Sequence, residues 1–186
     1  MDYMTKPTSR AELRIIAKWF RNRFGCKNKL RFDVIDAFER FPSFTDNVVT
    51  QVIEDNDISS MPLEIPASCT EASDGTIEIL VRQKVYDGAC KGVGGYRAHI
   101  LHEMCHAVLI MMGFRPIMGR AFSNNQIEPC RSMEWQAKAL AGEILVPYEE
   151  TKGMSLRQIK FYCKVSQACA EKRLRLDEEK KEELPF

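Results

Sequence analysis

The sequence lacks the features of membrane, secreted and disulfide-stabilised proteins. Its longest apolar stretch, residues 107–113, is far too short to cross a bilayer. The N-terminal stretch MDYMTKPTSRAELRIIAKWF contains no apolar run of signal-peptide length. The seven cysteines are odd in number and form no Cys-x-x-Cys pair, which argues against a disulfide framework, a zinc ribbon and a dithiol redox site. We therefore expect a soluble, cytoplasmic protein with no membrane partner, in which most cysteines are small buried side chains.

The sequence also lacks an excess of either charge. Its 27 lysines and arginines balance 26 aspartates and glutamates, so no overall positive field attracts nucleic acid or an anionic membrane. The glycine-rich stretch Asp87–Gly95 has neither the Gly-Lys-Ser/Thr sequence nor the spacing of a phosphate-binding loop. We interpret it as a flexible loop that leads into the next helix.

The pattern of apolar residues predicts an α+β fold. With 186 residues, 45% of them apolar, the chain is long enough for one domain with a sizeable core. The segments NVVTQVIE, LEIPASC and TIEILVR are separated by turn signals and predict a small antiparallel three-stranded sheet. Helical periodicity predicts helices over residues 8–24, 32–41, 96–112, 129–146, 156–163 and 167–176. The expected organisation is a single domain over 1–176, which ends in a helical pair at 154–176 and is followed by a charged tail over 177–186.

One predicted helix carries the sequence HEMCH at 102–106. At about 100° per residue, His106 lies about 40° from His102 and Glu103 about 100° from it, so the three side chains share one sector of the helix. A broad core face lies on the opposite side and carries Ile100, Leu101, Met104, Ala107, Val108, Met111 and Met112. Two imidazoles one turn apart can bind a single Zn²⁺ ion, and the glutamate between them can act as a general base in hydrolysis.

A catalytic zinc site needs a third protein ligand and an open position for water. The sequence has three histidines and none follows His106, which excludes a three-histidine motif extending beyond it. Glu134 is the favoured third ligand, because it begins a helix on which the small residues Ala137 and Ala141 lie on the same side and permit close packing. Glu143 points the opposite way and is expected to be solvated. The alternatives for the third ligand are His99, Glu128 and Cys130.

Two segments together resemble the ImmA/IrrE family of metallopeptidases. The first, RAHILHEMCHAVL at 97–109, is followed by EWQAKALAGEILVP at 134–147. Upstream, VRQKVYDGA resembles the segment before the family's histidine helix; downstream, SLRQIKFYCKVSQACAEKRLRL resembles its closing helix-turn-helix-like pair. The likeness spans residues 77–176 and is to the short members, which have no C-terminal sensor domain. Cys105 departs from the glycine usual before the second histidine, and helix geometry predicts a packing residue there.

The resemblance implies a mainly helical, zincin-like core and the activity of a zinc-dependent endopeptidase. His102, His106 and Glu134 match the zinc ligands of the family. Glu103 matches its catalytic glutamate. The resemblance also implies a protein substrate, a helix-turn-helix transcriptional repressor, that is cleaved in mobile-element or stress-response regulation.

The alternative is a non-catalytic, zinc-stabilised regulator or toxin-like protein that binds a repressor, an antitoxin or DNA. Lys172, Arg173 and Arg175 form a small basic cluster, but acidic residues follow at once, so DNA binding is not expected. For the enzyme, two further roles stay open. The strand Thr76–Arg82 is a candidate for pairing with an extended substrate at a sheet edge. The candidates for the donor to the oxyanion are Tyr86, Tyr148 and His99.

Overall fold

The computed structural model describes residues 2–117 and 127–182, with side chains described up to residue 176. Within these ranges the chain forms seven α-helices and one three-stranded sheet, which confirms the predicted α+β class. The helices are α1 (Arg10–Arg23), α2 (Val34–Arg40), α3 (Gln83–Cys90), α4 (Gly94–Met111), α5 (Met133–Leu145), α6 (Leu156–Cys163) and α7 (Gln167–Glu182). The strands are β1 (Val48–Ile53), β2 (Ala67–Glu71) and β3 (Ile77–Arg82). No helix in the described ranges is both long and apolar enough to span a membrane.

The sheet is mixed, and its last strand in sequence lies in the middle. β3 pairs in parallel with β1, where Val48 is opposite Ile77, and antiparallel with β2, where Cys69 is opposite Ile79. The prediction of an antiparallel sheet was wrong, because apolar alternation identifies strands but not their direction. The prediction of a free edge at 76–82 was also wrong, since both sides of β3 are paired and β2 is an edge strand.

A buried arginine at the end of β3 fixes the connection from β1 to β2. The side chain of Arg82 is fully buried, and its guanidinium donates hydrogen bonds to main-chain oxygens of this connection. The acceptors belong to Glu54, Asp55, Asp57, Met61, Pro62 and Ile65. A buried charge is tolerated when its polar groups are satisfied in this way. The bonds hold residues 54–66 against the sheet and so determine where β2 begins.

Helix α5 lies between α1 and α4, and an ion pair joins it to α1. Glu143 of α5 is only 3% exposed. Its carboxylate lies 3.0 Å from Nε of Arg14 and 3.6 Å from a guanidinium nitrogen of Arg10. The expectation that Glu143 is solvated was wrong, because α1 covers this side of α5. The two guanidinium groups compensate the buried carboxylate, as a buried charge requires.

The predicted flexible loop before the histidine helix is shorter than expected and is closely packed at two of its glycines, whereas residues 90–93 are exposed. Its first residues belong to α3, and α4 already begins at Gly94. A methyl group at Gly88 would lie 2.1 Å from the ring of Tyr96, and one at Gly94 would lie 2.7 Å from the main-chain nitrogen of Ser166. Both distances are below van der Waals contact, so these glycines are needed for close approach. The contact at Gly94 seats the first turn of the histidine helix on the turn between α6 and α7.

Helices α6 and α7 are joined by residues 164–166. Arg173 of α7 is buried and donates to the side chain of Thr151 and to the main-chain oxygen of Tyr148. This member of the basic cluster therefore holds α7 against the core. Helix α7 continues beyond its predicted end at Leu176, because the glutamates and lysines of the charge run are good helix formers. The end of the predicted tail, residues 183–186, lies outside the described ranges.

Candidate metal centre

Helices α4 and α5 bring His102, His106 and Glu134 together. The Nε2 atoms of the two histidines lie 3.2 Å apart. One carboxylate oxygen of Glu134 lies 3.4 Å from Nε2 of His102, and the other lies 3.4 Å from Nε2 of His106. The three side chains form a group that could hold a metal ion.

The distances between the three side chains agree with those between ligands of one tetrahedral ion. Zinc binds histidine nitrogen at about 2.0–2.1 Å and carboxylate oxygen at about 2.0–2.2 Å. Two ligands of such an ion are then separated by about 1.6 bond lengths, or about 3.3–3.5 Å. The observed separations are 3.2–3.4 Å. Two imidazoles and one carboxylate are also a donor set found in hydrolytic zinc enzymes, so the residues fit a divalent metal of this kind.

The sequence pattern predicts separate core and metal-binding faces on α4, and the structure shows them only in part, since His106 and Ile110 on the metal-binding side are buried too. Met104, Cys105 and Val108 are buried in the core, whereas His102 and Glu103 are half-buried on the other face. Cys105 is therefore a packing residue, and burial raises the pKa of its thiol. Nδ1 of His102 is buried without a hydrogen-bond partner among the described residues, so packing orients this ring.

Glu103 lies beside the ligands, and its carboxylate is held by the sheet. The carboxylate accepts a hydrogen bond from the main-chain N–H of Cys69 in β2. Burial is the largest influence on Glu103 and raises its pKa to about 7. The charge of His102 and the bond from Cys69 oppose this shift, whereas the negative charge of Glu134 adds to it. A carboxyl group that titrates near neutrality can both accept and release a proton, which is what general acid–base catalysis needs.

The electrostatic surroundings of Glu134 favour its ionised form. Hydrogen bonds from His102 and His106 hold the pKa of this carboxyl well below its usual range, although burial acts in the opposite direction. Lys138, one turn further along α5, lies 3.2 Å from the same carboxylate. The side chain is therefore present as a carboxylate, the form that binds a cation.

The metal-binding group opens into a cleft of about 590 Å³. Strand β2, helix α4, the start of α5 and the N-terminal residues Asp2 and Tyr3 line this cleft. Glu103, His106 and Glu134 are also among its lining residues, so a molecule in the cleft can reach both the metal-binding group and the candidate base. The apolar part of the lining consists of Ile65, Ala67, Ile110, Pro116 and Met133.

In strand β2, the main-chain N–H and C=O groups of every second residue point towards the edge that is not paired with β3. The main-chain bonds at the two ends of the strand join even-numbered residues to β3. In an antiparallel pair, the groups of the intervening residues point away from the partner strand. The N–H and C=O groups of Ala67, Cys69 and Glu71 therefore point to the open edge, where the N–H of Cys69 meets Glu103.

The alternatives to Glu134 as third ligand do not belong to the metal-binding group found in the described ranges. His99 is exposed one turn earlier on α4, where partial desolvation and the charge of His102 lower its pKa. Cys130 and Glu128 lie in the turn before α5, and the thiol of the former is 4.0 Å from the carboxylate of the latter.

The predicted oxyanion donors are not at the cleft either. Tyr86 donates to the carboxylate of Glu39, and the ring of Tyr148 packs against two arginine side chains. Neither they nor His99 are among the described residues that line the cleft, whereas Tyr3 is. Sequence reasoning missed Tyr3 because it belongs to no motif and approaches the site only through pairing with residues far along the chain.

No family model, curated protein or solved structure matches this chain. The functional interpretation therefore depends on the geometry of the site together with the resemblance of the sequence motifs.

Proposed function

We propose that the protein is a zinc-dependent endopeptidase with a zincin-like core, as the resemblance to ImmA/IrrE metallopeptidases implies. One observation carries the proposal: the Nε2 atoms of His102 and His106 lie 3.2 Å apart, and each lies 3.4 Å from one oxygen of the Glu134 carboxylate, beside a cleft that Glu103 also lines. Core packing alone does not require a carboxylate from a second helix at the spacing that a tetrahedral ion imposes.

In the proposed reaction the chain's own contribution is proton transfer. A bound zinc ion supplies Lewis-acid chemistry, which makes water more acidic and polarises the scissile carbonyl. Glu103 accepts a proton from the attacking water and then donates it to the leaving amine. With a pKa of about 7, this carboxyl group is available in both forms near neutral pH. The main-chain N–H of Cys69 lowers the pKa of this carboxyl group, an effect smaller than the opposing effect of burial.

We propose that the substrate binds as an extended peptide along the open edge of β2. The main-chain groups of Ala67 and Glu71 point to this edge and are placed to pair with a peptide. The phenol of Tyr3, which lines the same cleft, is the proposed donor to the oxyanion. Edge pairing reads the main chain more than the side chains, so the choice of a repressor as substrate comes from the resemblance alone.

The proposal includes a structural role for the helix-turn-helix-like pair of α6 and α7. Arg173 is buried within it, and Gly94 at the start of the histidine helix packs on its turn. Both contacts favour a pair that supports the histidine helix over one that binds DNA. A cytoplasmic location and a helix-turn-helix repressor as partner complete the proposal, as in the family that the sequence resembles.

Zinc content per chain tests the metal site. Wild-type protein and Glu134→Ala are purified without chelator and analysed for metal. We expect about one zinc per wild-type chain and a large loss in Glu134→Ala. Glu128→Ala is the matched control, since this carboxylate lies outside the metal-binding group, and it is expected to keep its zinc. Undiminished zinc in Glu134→Ala would show that the ligand assignment is wrong.

Cleavage of a peptide library, read by mass spectrometry, tests the peptidase activity. Zinc-loaded wild type is expected to produce new termini, whereas Glu103→Gln is expected to bind zinc and produce none. Zinc-loaded wild type that cleaves no more than Glu103→Gln would instead support the non-catalytic regulator. A regulator would keep its effect on a repressor partner in Glu103→Gln, and the enzyme would lose it.

A further inference from the structure

The N-terminal segment, residues 2–8, runs along the start of α5. The N–H of Thr5 donates to the main-chain oxygen of Arg131 at 2.8 Å, and that of Thr8 donates to Cys130 at 2.9 Å. Both threonines are buried. The segment is therefore part of the folded core rather than a loose end, and it lies against the helix that carries the third metal ligand.

This segment supplies hydrogen-bond acceptors to the first turn of α5. The first N–H groups of a helix have no partner inside it. In α5, the N–H of Met133 donates to the main-chain oxygen of Tyr3 at 3.0 Å. The N–H of Glu134 donates to Oδ1 of Asp2 at 3.1 Å. The N-terminal segment thus satisfies two consecutive donors, and the second belongs to the metal ligand itself.

The carboxylate of Asp2 is fixed by its own surroundings. The residue is 4% exposed. Its Oδ1 also accepts from the N–H of Tyr3 at 2.8 Å, and its Oδ2 accepts from the hydroxyl of Ser132, the N-cap of α5, at 2.6 Å. No ion pair joins it to the residues that the structure describes, so this buried charge is held by neutral donors at the N-terminus of a helix, where the helix dipole favours an anion.

We infer that Asp2 is a positioning residue for the metal centre: it fixes the first turn of α5 and thereby the place of Glu134. The inference rests on the proposed function only in requiring that a metal ion bind this group. Residues that orient metal ligands through hydrogen bonds typically contribute about 10- to 100-fold to metal affinity. Asp2 acts on the ligand's main chain rather than on its side chain, so the effect is expected near the lower end of that range.

Zinc affinity, measured by competition with a chromophoric chelator, tests this inference on three variants. Asp2→Ala removes the acceptors, and we expect zinc binding to weaken about tenfold. Asp2→Asn keeps an acceptor oxygen, and we expect affinity within about threefold of the wild type, because the position of the helix turn is retained. Asp33→Ala is the control for the loss of an aspartate acceptor at another helix N-terminus: the exposed Asp33 accepts from the N–H of Asp36 in α2, and its loss is expected to leave zinc affinity unchanged.

Amide hydrogen exchange on metal-free protein gives a readout that is independent of zinc. Asp2→Ala is expected to speed exchange at the N–H of Glu134, and Asp2→Asn is expected to restore the protection. Purification tags are placed at the C-terminus so that they do not disturb the segment under study.

The outcomes separate this inference from the proposed function. Wild-type protein that takes up no zinc would overturn the proposed function. Normal zinc affinity and normal exchange in Asp2→Ala would overturn the inference and leave the metal site standing. The inference also fails if Asp2→Asn is as weak as Asp2→Ala, since position would then not be the cause, or if Asp33→Ala weakens zinc binding equally, since general destabilisation would then explain the loss.

Discussion

The carboxylate of Glu103 accepts a hydrogen bond from the main-chain N–H of Cys69, so the histidine helix and the edge strand meet at the candidate base. The contact joins two elements that the proposed reaction uses for different purposes, proton transfer on α4 and substrate pairing on β2. A peptide paired along β2 would therefore pass beside Glu103.

Substrate pairing is tested at Glu71, whose main-chain groups point to the open edge. Glu71→Pro removes the outward N–H without removing a bond to β3. We expect KM for a cleaved peptide to rise about fivefold, the effect of one hydrogen bond. Glu71→Ala is the control, because both variants lose the ion pair with Arg115. An equal rise of KM in both would assign the effect to the ion pair.

The phenol of Tyr3 is tested by Tyr3→Phe, which leaves the main-chain bond to Met133 intact. If the phenol stabilises the oxyanion, kcat is expected to fall about 100-fold with zinc content unchanged. Tyr86→Phe is the control, because Tyr86 donates to Glu39 away from the cleft. An unchanged kcat in Tyr3→Phe would remove the phenol from the reaction.

Metal removal is expected to lower thermal stability. A ligand present at about 100 times its dissociation constant stabilises the folded state by about 2.7 kcal/mol. Scanning calorimetry of the wild type should therefore show a lower Tm after chelation and recovery when zinc is restored. Glu134→Ala should show almost no response to chelator, and a full response in this variant would place the stabilising metal elsewhere.

The ion pair between α1 and α5 is expected to stabilise the fold without contributing to metal binding. Glu143→Ala leaves Arg10 and Arg14 without their buried partner. We expect the free energy of unfolding to fall by about 2 kcal/mol, less than for a fully buried pair because the arginines are partly exposed. Denaturant titration measures this effect beside Glu64→Ala, an exposed control. A loss of zinc in folded Glu143→Ala would contradict the separation of the two roles.

Neighbouring glycines at the start of α4 allow a matched test of packing. Gly94→Ala would bring a methyl group 2.7 Å from the main chain of Ser166, and we expect a loss of about 1–3 kcal/mol in the free energy of unfolding. A methyl group at Gly95 meets no atom within 4 Å. Gly95→Ala is therefore expected to stabilise the helix by about 0.5–1 kcal/mol. Equal effects at both positions would show that the contact with Ser166 is unimportant.

The sequence predicts the parts of the site that depend on local geometry. The helical period alone places His102 and His106 on one face, and the structure brings both into the metal-binding group, although His106 is itself buried. Glu134 joins the two histidines because α5 packs on α4, a contact that the small residues of α5 favour. The same periodicity predicts the type of each other α-helix and strand. Helix α3 is the exception, because the glycine-rich stretch that overlaps its end predicts a loop.

The parts that could not be predicted depend on contacts between distant segments. Strand direction follows from the path of the 54–66 connection, which no periodicity records. Glu143 is buried because α1 covers it. The periodicity of α5 shows which side chains share a face, but it does not show that α1 packs against that face. Asp2 has no motif at all: its role arises from a contact with Ser132 across 130 residues.

The 130 residues between Asp2 and Ser132 affect the order in which the site can form during translation. Residues 2–8 leave the ribosome before α5 does, in a synthesis that proceeds at roughly 5–20 residues per second. The segment must then wait until Ser132 and the first turn of α5 emerge before it can pair. Glu134 is synthesised 28 residues after His106, so for about 1–6 seconds at this rate the nascent chain has an incomplete set of the proposed ligands. The proposed metal site can therefore be completed only after α5 has been synthesised, because Glu134 and its N-terminal support meet in the first turn of that helix.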